Sequence, residues 1–411
     1  MKNIITLLVL LISFTNAGAQ KISGSWNGKL NTPAGKLTIV FNFSTDSLGK
    51  ENVTLDSPDQ SAKGLPGKVI FISADSVNVT LESLRIEYSG KLINSTIIGK
   101  FKQAGYTIPL ELKAGEYIMN RPQKPQHPLP YSTEELTFSN KSGTATFSGT
   151  LSYPIGYMSM KKVPVVIFIT GSGLQNRDEE LFGHKPFFVI ADYLAKNGIA
   201  SFRYDDRSFG KSTGDVSKLT TQVNADDAEA GIEMLHKLGK FSKVGVIGHS
   251  EGGNISFMLA AKKSCDFIVS MAGLAVKGDT ALAAQVNRIN ELSGSPKRTT
   301  TEDYRKQIIS IGNDWLLFAI NYDPTEDIKR IECPVMAING NKDVQVISEL
   351  NLNAVRKNLS PNSKNMIKEY PNLNHLFQKC TTGLPNEYST IEETISPEVL
   401  SDIANWIKSL K

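Results

Sequence analysis

Cysteine is scarce in this sequence. Three cysteines in 411 residues (Cys265, Cys333 and Cys380) are too few and too odd in number for a disulfide framework, so the fold must rest on its hydrophobic core. Charge of one sign is also missing. With 45 basic and 41 acidic residues the formal charge is +4, which excludes the basic excess of a nucleic-acid-binding chain, and no charged tail is present. Long apolar runs are absent beyond Ile4 to Phe14, which falls short of the ~20 residues that span a bilayer, so neither a multi-span protein nor a stable membrane anchor is expected. His-Glu-x-x-His, Cys-x-x-Cys and P-loop patterns do not occur, and no metal or organic cofactor is expected. What is present is 40% hydrophobic and 21% charged residues, enough for a large core and, at ~150 residues per domain, for two or three domains.

The first 19 residues read as an export signal: Lys2, then the apolar run, then Ala17-Gly18-Ala19 as a small-x-small cleavage site before Gln20. No cysteine follows to carry a lipid, so a secreted or periplasmic location is expected. Residues 20 to 120 alternate with period two: Leu37, Ile39, Phe41, Phe43; Val77, Val79, Leu81; Leu84, Ile86, Tyr88; Ile108, Leu110, Leu112. This pattern predicts a small antiparallel β barrel or sandwich, with Trp26 plugging one end of its core. Residues 121 to 132 hold Pro122, Pro125, Pro128 and Pro130 and read as a semi-rigid linker.

From 133 to 411 the pattern changes. Strands near Leu136–Phe138 and Thr146–Tyr153 lead into buried runs (Val163–Thr170, Ala200–Tyr204, Val244–Gly248, Phe267–Met271, Val335–Ile338, Met366–Tyr370) that alternate with helical stretches. That alternation predicts a mostly parallel α/β sheet with helices on both faces, closed by a last helix with Ser396 as N-cap and Pro397 in its first turn. Residues 273 to 327 are too long for a simple crossover and predict an inserted cap, helical over Ala281–Leu292 and Tyr304–Phe318.

Gly248-His249-Ser250-Glu251-Gly252 sits between a strand and a helix. There a Gly-x-Ser-x-Gly forces the serine into a strained turn, and the glycines let strand and helix approach while Oγ projects above the sheet. Ser250 is therefore the expected nucleophile, and it needs a general base. Of five histidines, His127 lies in the proline-rich stretch, His236 in a helix and His184 in a loop of the first half, while His249 adjoins the serine and points elsewhere. His375 follows a predicted strand at the carboxyl end of the sheet, where the base is needed. Asp343, in the loop Gly340-Asn341-Lys342-Asp343, would fix its tautomer. No acid ends the preceding strand at Met271-Ala272-Gly273. The oxyanion amides are expected from Glu251 and from Ser172 in Thr170-Gly171-Ser172-Gly173-Leu174.

Residues from about 133 to 411 resemble the α/β-hydrolase superfamily, specifically its secreted or bacterial esterases and prolyl-aminopeptidase-like serine peptidases. The likeness rests on Gly171-Ser172-Gly173 with Arg177-Asp178, on Tyr204-Asp205-Asp206-Arg207 with Gly210-Lys211-Ser212, and on the serine motif extended by Gly253. It implies an α/β-hydrolase fold, Ser250, Asp343 and His375 as the triad, and a helical insert that shapes the acyl pocket. Asp205-Asp206-Arg207 is expected to be an ion-pair knot that braces the oxyanion loop. Trp315, Phe318 and Leu174 are the expected substrate contacts.

The expected function is hydrolysis of a small-molecule or glycan-linked carboxylic ester through an acyl-enzyme. An aminopeptidase with the same triad is the first alternative. It would need a desolvated carboxylate for the substrate ammonium, and among the acids of the insert only Asp314 adjoins the apolar run Trp315-Leu316-Leu317-Phe318. The second is a carbohydrate- or peptidoglycan-binding protein acting through its β domain. Oligomeric state and natural substrate are not encoded in any pattern of this sequence.

Overall fold

A computed structural model describes residues 22–32, 35–60 and 62–410. The expected export signal lies outside them. The chain divides after Ile118 into two compact units.

The first unit is a closed barrel of eight antiparallel strands: β1 (Gly24–Thr32), β2 (Gly35–Thr45), β3 (Glu51–Ser57), β4 (Ala62–Ile72), β5 (Ser76–Leu81), β6 (Ile86–Ile93), β7 (Thr96–Gln103) and β8 (Tyr106–Ala114). Each strand pairs with the next, and Trp26 opposite Ala114 closes β1 on β8, so no open sheet edge is left between them. Alternation decides which side chains fill the interior: Ile39, Phe41, Phe43, Val53, Leu55, Val77, Val79, Leu81, Ile86, Tyr88, Leu110 and Leu112 are all buried. Trp26 is buried among them, with its indole N–H donated to the Ser23 carbonyl at 3.1 Å. Leu84, expected to face inward, falls in a short 3-10 turn (Glu82–Leu84) and is exposed. Tyr88 reaches across the interior to donate to the Leu110 carbonyl at 3.2 Å. Room for its ring comes from Gly99, where a Cβ would lie 2.5 Å from the Tyr88 hydroxyl.

The second unit carries β9 (Thr133–Ser139), β10 (Thr146–Ser152), β11 (Val165–Ile169), β12 (Ala200–Tyr204), β13 (Val244–His249), β14 (Phe267–Met271), β15 (Val335–Gly340) and β16 (Met366–Tyr370) in one sheet of order 16-15-14-13-11-12-10-9. β11 to β16 are parallel, and β9 and β10 form an antiparallel hairpin on the β12 edge. Both faces are apolar, because parallel strands are covered on each side. Helices α1 (Pro186–Lys196) and α9 (Pro397–Ser409) pack on one face with Val166 and Phe168. On the other, α2 (Thr221–Leu238), α3 (Glu251–Ala261) and α8 (Ser348–Asn358) pack with Val165 and Ile167. Pro397 stands in the first turn of α9 as expected, whereas the Ser396 side chain makes no capping bond. From β11 the chain steps to β12 on one side and later to β13 on the other. The crevice at the carboxyl ends of β11 and β13 is thus the point where strand order reverses and ligands bind.

Two expectations change. The insert between β14 and β15 holds α4 (Gly278–Leu292), α5 (Thr301–Ile311), α6 (Asp314–Asn321) and α7 (Thr325–Arg330). The expected helix over Tyr304–Phe318 is broken because Gly312 ends α5 with φ 67°, in the left-handed region, and Asn313 caps α6 by accepting the Leu316 N–H. The proline-rich stretch is no free spacer either. Arg121 donates to the carbonyls of Phe182 (2.8 Å), Ser389 (2.8 Å) and Ile391 (3.1 Å). Gln123 accepts from Thr394 N–H at 2.6 Å and donates to the Ile395 carbonyl at 2.7 Å, so this segment is sewn onto the second unit.

Candidate active site

β13 ends at His249 and α3 begins at Glu251, leaving Ser250 alone in the turn at φ 54° and ψ −115°. A serine pays strain in this left-handed region, and the surrounding packing holds it there. The flanking glycines explain how the turn closes. A Cβ on Gly248 would lie 1.9 Å from the Gly252 carbonyl oxygen, and one on Gly252 would lie 2.1 Å from that of Ile169. One on Gly253 would come within 2.6 Å of the Gly273 Cα. No side chain fits at any of the three.

His375 stands in the loop after β16, and its Nδ1 is 2.8 Å from Asp343 Oδ2. The other oxygen of Asp343 accepts the N–H groups of Gln345 (2.8 Å) and Val346 (2.9 Å). This contact suits the neutral tautomer with its proton on Nδ1, donated to the carboxylate, and its lone pair on Nε2. Both side chains are buried. Their loops pass so closely that a Cβ on Gly340 would be 2.2 Å from the Leu373 carbonyl oxygen. Lys342, beside the acid, donates to the Thr381 carbonyl at 2.5 Å.

Ser250 and His375 line one cavity of about 390 Å³ together with Ser172, Leu174 and Gln345. Ser250 also borders a second, of about 270 Å³, walled by Glu251, Asn254, Tyr304, Trp315 and Tyr322 under the insert.

The loop after β11 is held from behind. Asp206 accepts Thr170 Oγ1 at 2.9 Å and the Gln175 N–H at 2.8 Å, and Glu179 accepts the Gly171 N–H at 2.8 Å. Burial outweighs these hydrogen bonds and pushes the Asp206 carboxyl up to about 7. Among the described residues no acceptor takes the N–H of Ser172 or of Glu251. The expected knot at 205–207 is three separate braces. Asp205 pairs with Arg177 (2.7 Å) and Arg207 with Asp227 of α2, while Asp206 holds the loop by hydrogen bonds alone.

Trp315 and Leu174 line the cavities, Leu174 at an exposed position, whereas Phe318 does not. Phe318 turns to the core and stacks on Tyr322, four residues on, with centroids 5.8 Å apart. Asp314 is exposed at the start of α6. His184 is buried, with Nδ1 2.9 Å from Thr394 Oγ1 and Nε2 3.0 Å from Gln378 Nε2, and burial lowers it to about 4. It serves the fold. Two carboxylates escaped the sequence reading. Glu251 turns its side chain under the insert, accepting from Thr221 Oγ1 (2.7 Å) and Trp315 Nε1 (2.9 Å). Glu179 lies 3.0 Å from His249 Nδ1, a contact between residues 70 positions apart that only the sheet topology creates. No three His, Cys, Asp or Glu side chains of the described residues converge as a metal ligand set.

Residues 185–299 match the family model described as serine aminopeptidase, S33, a stretch that includes the Ser250 turn and ends before Asp343 and His375. Esterase EstD of Thermotoga maritima is 25% identical over 314 residues, covering 73% of this chain and 75% of its own. Among solved structures, an esterase of Pyrococcus furiosus is 15% identical with a TM-score of 0.47, over 72% of this chain and 99% of that one. Est1E of Butyrivibrio proteoclasticus is 16% identical with a TM-score of 0.43, over 67% and 96%. Strand order and the glycine-flanked serine turn give the second unit an α/β-hydrolase fold, and the family match across that turn, with the esterase relative, supports a serine hydrolase.

Proposed function

We propose that the protein is an exported esterase that cleaves carboxylic esters through an acyl-enzyme on Ser250. The observation that carries this reading is the His375–Asp343 bond, with Nε2 left free to take a proton, in a cavity shared with Ser250. In this mechanism Nε2 of His375 accepts the Ser250 proton as Oγ attacks the ester carbonyl, and Asp343 stabilises the imidazolium. The unclaimed N–H groups of Ser172 and Glu251 take the oxyanion, Glu251 with the positive end of α3 behind it. His375 then protonates the leaving alcohol and activates water for deacylation. The relative named an esterase supports an ester substrate.

The family model's description favours a second reading, release of N-terminal amino acids. Asp314, its expected ammonium ligand, is exposed and outside both cavities, and the carboxylates that reach the cavities are engaged: Glu251 by Thr221 and Trp315, Glu179 by the Gly171 N–H and His249, and Glu180 by Lys185 at 3.2 Å. Short acyl esters should therefore exceed amino-acyl amides in kcat/KM by about a hundredfold or more, on the order of 3 kcal/mol of discrimination. Equal rates on alanine or proline amides would replace the esterase by an aminopeptidase. Export rests on Lys2, the Ile4–Phe14 run and Ala17-Gly18-Ala19. N-terminal sequencing of the protein from its native host should begin at Gln20, and an intact Met1 would refute it.

A further inference from the structure

His249 and Glu179 form a second buried histidine–carboxylate pair, next to the first. The rings of His249 and His375 lie 4.7 Å apart between centroids. Glu179 and His249 are 5% and 6% exposed and border the cavity of Ser250. The contacts run in one line. The Gly171 N–H donates to Glu179 Oε1 (2.8 Å), which lies 3.0 Å from His249 Nδ1, and His249 Nε2 lies 2.9 Å from the carbonyl oxygen of His375. A carbonyl can only accept, so Nε2 carries a proton. With Glu179 ionised, Nδ1 carries one too, and every partner is satisfied by an imidazolium.

Each end of this line touches a neighbour of the reacting groups. Gly171 precedes Ser172, and a Cβ there would press to 3.3 Å from that of Ser250. His249 precedes Ser250 itself, and the far end is the backbone of His375. We propose that the Glu179–His249 pair is a positioning device: it ties the oxyanion loop to the His375 loop, so that hole and base are set by one buried contact. The inference rests on the reading of Ser250 and His375 as nucleophile and base.

Charge sets its pH range. Burial opposes the imidazolium, but the facing Glu179 carboxylate, the His375 carbonyl and Asp343 behind His375 outweigh it, so His249 titrates above the ordinary histidine range. Asp206, whose carboxyl is repelled by that of Glu179, adds a further negative charge to this cluster when ionised. The pair should hold at neutral pH and come apart as the solution becomes alkaline.

Three variants test this on the full chain, with active sites counted by stoichiometric fluorophosphonate labelling. Glu179→Gln keeps an acceptor for Gly171 but removes the charge. It should lower kcat per labelled site by about tenfold or more with KM little changed, and move the alkaline limb of kcat toward lower pH. Glu179→Asp should recover part of the rate and return the limb toward its wild-type position. His249→Asn, which can still meet Glu179 but not the His375 carbonyl, should lose rate and the limb together. Wild-type kcat and an unmoved pH profile in both Glu179→Gln and His249→Asn, even with a lower Tm, would show a purely structural pair and overturn the proposal. If a variant fails to fold, the wild-type profile still decides: a kcat flat from pH 7 to the alkaline limit of stability contradicts it. Full turnover in Ser250→Ala would instead remove the esterase reading itself, so the two failures are told apart.

Discussion

The two units bury different things. The barrel encloses an almost wholly apolar interior: among its described residues the buried polar side chains are the small hydroxyls of Thr38 and Ser57, and Tyr88 adds a phenol that donates to the Leu110 carbonyl. The α/β unit buries Glu179, His184, Asp205, Asp227, His249, Glu251, Asp279, Asp343 and His375. Burying a charge is expensive unless it is paired or hydrogen-bonded, and most of these are tied by named partners around one crevice. This cost points to the α/β unit for the chemistry, whereas the barrel is a module held by its strand ladder and its apolar core.

The sharpest test of that assignment is Ser250→Ala, which should cut ester turnover by about 10⁴-fold or more while removing only one hydroxyl, with Tm nearly unchanged. Next is a chain beginning at Met119, which should melt cooperatively and hydrolyse small esters. Starting instead at Tyr131 removes Arg121 and Gln123 with their ties to the 389–395 segment, at roughly 3 kcal/mol for several buried hydrogen bonds, and should lower Tm by about 10 °C. Equal melting of the two would return the proline-rich stretch to the role of spacer. Trp315→Phe keeps the ring but not the bond to Glu251, so kcat/KM for esters filling the second cavity should drop by about tenfold, at ~1.4 kcal/mol. Acetate esters should be affected less.

A pH effect on stability follows from Asp206. Its folded carboxyl sits at about 7, above its ordinary value of 3.8, so the folded state holds this proton more tightly than the unfolded chain does. The associated stability is complete below about 4 and is lost as pH rises through about 7. Urea unfolding of Asp206→Asn at several pH values should show that part of the slope removed. The smallest effect on catalysis should come from Gly99→Ala. Its Cβ would meet the Tyr88 hydroxyl at 2.5 Å, destabilising the barrel by about 1–3 kcal/mol while ester turnover stays within about twofold. A parallel loss of turnover would show that the barrel takes part in the chemistry.

The sequence carried the barrel's alternation and the glycine-flanked serine turn openly, because both are local: period two needs only neighbouring residues, and Gly248, Ser250 and Gly252 fall within five positions. Asp343 and His375 were legible through their place after strands, since a parallel sheet gathers such loops at one edge. Contacts made by topology were not. Glu179 meets His249 and Arg121 meets Ile391 across distances no periodicity spans. Phe318 misled because an apolar run beside a pocket does not say which side of an eight-residue helix faces it. The break at Gly312-Asn313 is written locally, as a glycine stop followed by an asparagine cap.

The central claim is that one serine in the α/β unit carries the reaction. The direct measurement is intact and peptide mass spectrometry of the full chain after brief reaction with a fluorophosphonate, alongside p-nitrophenyl acetate turnover. The account predicts a single adduct on the peptide holding Ser250, loss of turnover in proportion to labelling, and no adduct in Ser250→Ala. Turnover that survives full labelling of Ser250, or an inactivating adduct at another residue, would contradict it.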